Sequence, residues 1–232
     1  MVELTHEDFN NMVADNKVLK VYNIIYMVFI LVLVGIGVLS RVRVDNHILQ
    51  EPENYVIEVY SNKMHDNYIR SKANLIDSID KYIVTIAPNS TLNGSKIFEV
   101  CDGTSVDIKF VLAQGQLESH FGTKGLASRT NSVFNVWAWD GVPEAHINSK
   151  GKYKHPDFSV EPYMDLLKSS YLVDGKTEMD LLDSFVNVRG ERYASNPNYE
   201  KQLLDIYSKV NDVVNIDKAY QEYNKYKILS GV

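Results

Sequence analysis

From Val21 to Ser40 the chain runs VYNIIYMVFILVLVGIGVLS without a charged residue. About 20 residues at 1.5 Å rise span roughly the 30 Å hydrocarbon core of a bilayer, so the pattern predicts a transmembrane helix over residues 21–40. The 20 residues before it hold Glu3, Glu7, Asp8 and Asp15. A cleaved signal peptide has a short basic leader instead, so a retained anchor is expected, with the lipid bilayer as partner through residues 21–40. Lys17 and Lys20 flank one end of the span and Arg41 and Arg43 the other, which leaves the positive-inside rule tied. Residues 41–70, polar at first and holding Pro52, read as a juxtamembrane connector. Residues 71–212 then form the soluble domain, and residues 213–232 a helical tail.

Helical spacing dominates the soluble part. Leu75, Ile76, Ile79, Ile83 and Ile86 predict a helix over 72–87, ended by Pro88 and Asn89. A short helix around Ile97 to Cys101 stops at Gly103, and Ser105 is placed to cap a third helix, VDIKFVLAQGQLESHF, over residues 106–121. In that helix Ile108, Val111, Leu112 and Leu117 supply a buried face. Gln114 and Glu118, four apart, share another. Gly115 leaves room for a second segment to approach, and Gly122 marks the terminus just beyond Glu118. Further on, Thr177 with Asp180 forms a capping box before LLDSFVNV, and Asn196 with Pro197 opens YEKQLLDIYSKV. Between Phe134 and Asp157 the residues Trp137, Trp139, Gly141, Pro143, Gly151 and Pro156 suit a loop with a small hairpin. The expected fold class is mainly α with a small irregular or β-hairpin insertion.

Composition narrows the function. The chain is 45% hydrophobic and 23% charged, with a formal net charge of −6, and its Lys and Arg are not clustered, which argues against nucleic acid as a partner. The single cysteine, Cys101, excludes an intrachain disulfide and zinc sites built on cysteine pairs. Its neighbours Ile97, Phe98 and Val100 favour a buried structural thiol over a nucleophile paired with His146 or His155. His146, His155 and Asp157 show no close ligand spacing, so no metal and no cofactor is expected. Tyr207, Tyr220, Tyr223 and Tyr226, three to four apart, read as a packing stripe rather than sugar platforms.

Two segments carry a family likeness. AQGQLESHFGTKGLASRTNSVFNVWAWDG, residues 113–141, resembles the glucosaminidase-type peptidoglycan hydrolases, whose signature A-Q-x-x-L-E-S-x-x-G followed by N-x-x-F is met at Ala113, Gln114, Leu117, Glu118, Ser119, Gly122, Asn131 and Phe134. RGERYASNPNYEKQLLDIY, residues 189–207, is similar to the family's Y-A-T-D-P-x-Y segment through Tyr193, Ala194, Pro197 and Tyr199. FSVEPYMDLLKSSYL, residues 158–172, resembles the helix that follows the family's hairpin, so the likeness covers about residues 72–210. The look of NSVFNVWAWDG is also shared with phage-borne members.

The resemblance implies a lysozyme-like α-helical domain that hydrolyses the β-1,4 glycosidic bond of peptidoglycan glycan strands on the N-acetylglucosamine side. Glu118 is the implied general acid, a role that requires a carboxyl protonated before the leaving oxygen departs. A helix end beside Phe121 and Trp137 would help desolvate it. Gln114, Ser119, Asn131, Phe134, Trp137 and Tyr193 are the implied substrate-binding residues, with Tyr193 lining the sugar subsite. Asp140, Glu144, Asp157 and Glu161 are the candidates for a second carboxylate, Glu144 and Asp140 ranked first. A lytic transglycosylase of similar fold needs one acid only, and that mechanism stays open.

A wall substrate lies outside the cytoplasmic membrane, which places the C-terminal domain in the periplasm or cell exterior and the N-terminal 20 residues in the cytoplasm. The alternative of another class is a virion-associated phage protein that keeps the fold to bind or open the wall. Oligomeric state stays open. Residues 41–232 carry −4, the −6 of the chain less the −2 of residues 1–40, so binding is expected to rest on local sugar contacts.

Overall fold

Tyr68, Ser71, Leu75, Ile79 and Tyr82 recur every three to four residues and are all buried, which fixes one face of the first helix against everything that follows it. In the computed structural model, residues 47–136 and 151–232 are described, with side chains from residue 60 onward. The apolar stretch 21–40, and Trp137, Asp140, Glu144 and His146, lie outside the described residues. The chain divides into two compact units, Met1–Tyr55 and Val56–Val232. Among the described residues no helix is long and apolar enough to cross a membrane.

The first helix, α1 (His47–Ile86), is far longer than the expected 72–87. Between Pro52 and Pro88 the sequence holds no glycine or proline, so nothing stops the helix running back through the expected connector. Its end is where the sequence put it. Ala87, preceding Pro88, still donates its N–H to the Ile83 carbonyl at 2.7 Å.

Helix α2 (Gly94–Asp102) buries Gly94, Ile97, Phe98 and Cys101. Its first glycine is required by a neighbour. The Gly94 N–H donates to Asp80 Oδ1 at 2.6 Å, and a Cβ at position 94 would stand 2.8 Å from that oxygen and 2.9 Å from the Asp80 backbone nitrogen. Because backbone must shift to admit a methyl, Gly94→Ala is expected to cost about 1–3 kcal/mol, read as a lower denaturant midpoint with an unchanged slope.

Helix α3 (Ile108–Ser119) is the centre of the domain. Ile108 and every residue from Phe110 to Gly115 are buried, so the helix is surrounded rather than amphipathic, with Leu117 packed only at the core's margin. Asp107 caps it, accepting from the Lys109 N–H at 2.8 Å, while the expected cap, Ser105, occupies a left-handed turn with φ 60°. The carboxylate wins over the hydroxyl because its second oxygen also accepts from Tyr207 at 2.7 Å. Gly115 admits two rings, since a Cβ there would lie 3.0 Å from Phe121 and 3.3 Å from Phe134.

After the short α4 (Ala127–Thr130), the chain returns through a 3-10 turn, Pro156–Ser159, into α5 (Val160–Leu166). That helix widens into a π turn, Leu167–Tyr171, closed by the Leu172 N–H on the Leu167 carbonyl at 2.7 Å. Helix α6 (Glu178–Asp183) starts at the expected Thr177–Asp180 capping box but stops before FVNV, whose Val186 bridges to Arg192 across a tight turn. Helix α7 (Tyr199–Val213) begins two residues after Pro197, and α8 (Ile216–Ser230) closes the chain. Tyr223 of α8 is buried between Tyr68 and Phe98 and donates to Asp102 at 2.9 Å, so it belongs to the packing stripe. No strand occurs among the described residues. The architecture is the mainly helical one expected, consistent with a lysozyme-like domain.

Candidate active site

Glu118 is the penultimate residue of α3, where the helix stops because His120, Phe121 and Gly122 follow in left-handed conformation, with φ of 48°, 53° and 82°. The reversal drives Phe121 inward, fully buried against Tyr82 and beneath Gly115. Phe121 is therefore a core residue. The rings beside the Glu118 carboxylate come from α7 and the segment before it.

Both carboxylate oxygens of Glu118 accept hydrogen bonds. Tyr199, the first residue of α7, donates to Oε1 at 2.5 Å, and Asn135 Nδ2 donates at 3.0 Å to Oε2 and at 3.0 Å to the Glu118 carbonyl. The Tyr199 hydroxyl in turn accepts from Gln114 Nε2 at 3.2 Å, and Gln114 Oε1 accepts from Tyr163. The result is a directed chain, Tyr163 to Gln114 to Tyr199 to Glu118, in which each donor is committed. Burial, and then the Glu118 charge, hold the Tyr199 hydroxyl well above its ordinary pKa, and burial does the same for Tyr163. Both phenols thus stay protonated donors through the neutral range.

Glu118 opens on a groove of about 1410 Å³. Leu117, Asn135 and Val136 form one part of its lining and Tyr171, Tyr193 and Tyr199 another. Tyr193 shows the groove its ring rather than its hydroxyl, which donates to the Phe134 carbonyl at 2.7 Å. That ring stacks on Phe185 at 4.6 Å.

Four other residues expected to touch substrate, Gln114, Ser119, Asn131 and Phe134, do not line the groove. Gln114 is fully buried and spent on two tyrosines. Ser119 is buried, donating to the Val133 carbonyl at 2.6 Å and accepting from the Gly122 N–H at 2.8 Å, so it ties the reversal. Phe134 is buried and stacked on Tyr163 at 3.7 Å. Asn131, left-handed at the end of α4, donates to the Tyr153 carbonyl at 2.9 Å. Gln114, Ser119 and Phe134 thus lie within the core beside the site, and Asn131, half-buried, ties the end of α4 to Tyr153.

Of the candidate second acids, Asp157 caps Asn93 through backbone and side chain, and Glu161 pairs with Lys96 at 2.5 Å. Neither lines the groove. Among the described residues the further carboxylate in the groove is Glu191, which accepts from Asn187 at 2.7 Å. Cys101 is buried and its thiol is pushed well up by that burial, which removes it as a nucleophile. His155 does meet Asp157, at 3.3 Å, but no cluster that could hold a metal occurs among the described residues.

Tyr199 and Asn135 are the site residues that spacing did not reveal. Tyr199 ends the matched Y-A-x-x-P-x-Y segment, and that position was its one sequence signal.

The profile of the family described as glucosaminidase, mannosyl-glycoprotein endo-beta-N-acetylglucosaminidase, matches residues 95–212. The chain belongs to the glucosaminidase family. The matched span runs from α2 through α7 and so contains Glu118, Asn135, Tyr193 and Tyr199. Two curated proteins of Streptococcus pneumoniae, from serotype 4 strain TIGR4 and from strain R6, each named "Putative endo-beta-N-acetylglucosaminidase", are 24% identical to the chain over 139 residues. That covers 59% of this chain and 20% and 19% of theirs, so the glucosaminidase domain spans about a fifth of the relatives' length. Membership places the domain among glycoside hydrolases.

Tyr199→Phe tests the donor on Glu118. A hydrogen bond to the charged form of a carboxyl favours that form, so its loss lets Glu118 keep its proton to higher pH. The expected result is a roughly tenfold lower plateau kcat with the alkaline limb of the pH–kcat profile displaced upward. A limb that stays in place would mean the phenol does not act on the acid.

Proposed function

We propose that this glucosaminidase domain is a peptidoglycan hydrolase that cleaves β-1,4 bonds of glycan strands on the N-acetylglucosamine side, with Glu118 as general acid. The observation that carries the reading is Glu118 itself, at a helix end on an open groove, with both oxygens oriented by Tyr199 and Asn135. A carboxyl so fixed presents its proton in one direction, toward the groove, where a leaving glycosidic oxygen would lie. The Tyr193 ring offers a π face to the positive charge that develops on the sugar.

Asp140 and Glu144 are the proposed second acids, because Asn135 and Val136 line the groove and the chain enters the intervening segment from there. Trp137 belongs to the same proposal as a sugar contact. Residues 21–40 are proposed to anchor the chain, with the hydrolase domain on the periplasmic or outer face. Digestion of purified peptidoglycan by the full chain, with product ends identified by mass spectrometry, tests the reading. Reducing N-acetylglucosamine ends support it, anhydromuramic ends indicate a lytic transglycosylase that needs no second acid, and intact glycan favours the virion-borne wall-binding alternative.

A further inference from the structure

Among the described residues, the charge of the groove runs against that of the chain. On a protein of net charge −6, the groove is lined by Lys124, Arg189 and Arg192 against Glu118 and Glu191. Arg192 is already spent, donating to Glu200 at 2.5 Å and to the Asn196 carbonyl at 3.1 Å. Lys124 and Arg189 are exposed, and among the described residues neither side chain has an ion-pair partner.

Arg189 is held out deliberately by its turn. Asn187 Oδ1 accepts from the Arg189 and Glu191 N–H groups, both at 2.9 Å, and Asn187 Nδ2 donates to Glu191 Oε2 at 2.7 Å, which holds that carboxylate on the turn. Gly190, with φ 77°, closes the turn, and the Val188 N–H anchors it to the Ser170 carbonyl at 3.0 Å. A backbone so fixed presents a planar guanidinium to the groove at reduced entropic cost. Lys124 is fixed likewise, its N–H bonded to the Ser119 carbonyl at 2.9 Å, one residue from Glu118.

Neutral sugars have no use for two exposed cations that lack an ion-pair partner among the described residues. From this we infer that Arg189 and Lys124 bind carboxylates of the peptide stems that hang from the glycan strand, so that the groove selects strands carrying free stem carboxylates. The inference rests on the peptidoglycan reading above and adds the chemical class of the second determinant. Arg189 supplies a bidentate fork to a carboxylate and Lys124 a point charge, and both interactions weaken with salt.

The test uses peptidoglycan freed of attached phosphate polymers, either native or with its carboxylates converted to carboxamides. The full chain is expected to cleave the native form with a kcat/KM about tenfold higher, and the preference should shrink as salt rises. In the double variant Arg189→Gln, Lys124→Gln the ratio falls to near one. A folding defect would depress both substrates together and leave the ratio intact. Equal cleavage by the unaltered chain, or a ratio untouched in the double variant, overturns the inference while the glycosidase reading stands. A preference that appears only when phosphate polymers are left attached overturns the carboxylate assignment.

Co-sedimentation of the Glu118→Gln protein with the two forms separates binding from chemistry. Arg189-dependent retention on native material without cleavage by the unaltered chain would keep the carboxylate site and sink the hydrolase reading. Absence of both would sink the two together.

Discussion

Glu118→Gln is expected to lower kcat on peptidoglycan by roughly a thousandfold while the protein unfolds at an unchanged denaturant concentration. The amide keeps the shape of the carboxyl and its oxygen can still accept from Tyr199; its NH2 no longer accepts from Asn135, which keeps its bond to the backbone carbonyl of residue 118, so the fold loses little. What disappears is the transferable proton. A leaving glycosidic oxygen must then depart as an alkoxide. Residual activity within tenfold of the unaltered chain would remove Glu118 from the general-acid role, whatever bond is cut.

The second large effect is expected from Gln114→Leu. The leucine fills a similar volume but leaves the fully buried Tyr163 hydroxyl without its acceptor and deprives Tyr199 of a donor, at a cost of about 2–3 kcal/mol in chemical denaturation. Because Gln114 touches the acid only through Tyr199, kcat should fall roughly tenfold with KM unchanged. A raised KM would restore Gln114 to the substrate-contacting role that its sequence signature implied.

The contrast between those two residues shows what sequence could and could not convey. Glu118 was legible because the match around it is dense and because it stands beside a helix-ending glycine. The face shared by Gln114 and Glu118 was also legible, since four residues return a helix to nearly the same azimuth. Which way that face points was not. Helix α3 is enclosed on almost every side, and no periodicity on a single helix tells whether a polar stripe meets solvent or a tyrosine from a helix 81 positions away in sequence. The same limit hid the position of Tyr199 and the burial of Ser119 and Phe134.

Local signals fared better where the competing partners were local too. The Thr177–Asp180 capping box formed as read, and Pro88 ended α1 where expected. Ser105 lost the cap of α3 to Asp107 because Tyr207, a distant residue, secures the carboxylate. The length of α1 was not legible because Pro52 and the polar residues around it suggest a connector, whereas the helix runs on through them from His47.

The burial of Cys101 has a practical side. It is the chain's one cysteine, 3% exposed, with a thiol that stays protonated far above neutral pH. Thiol-directed reagents therefore find nothing to modify on the folded domain. A cysteine introduced at exposed Ser169, on the groove wall, becomes the one reactive thiol on that domain. A fluorophore attached there would report glycan entering the groove directly, with the native chain as an unlabelled background and no second substitution in the core.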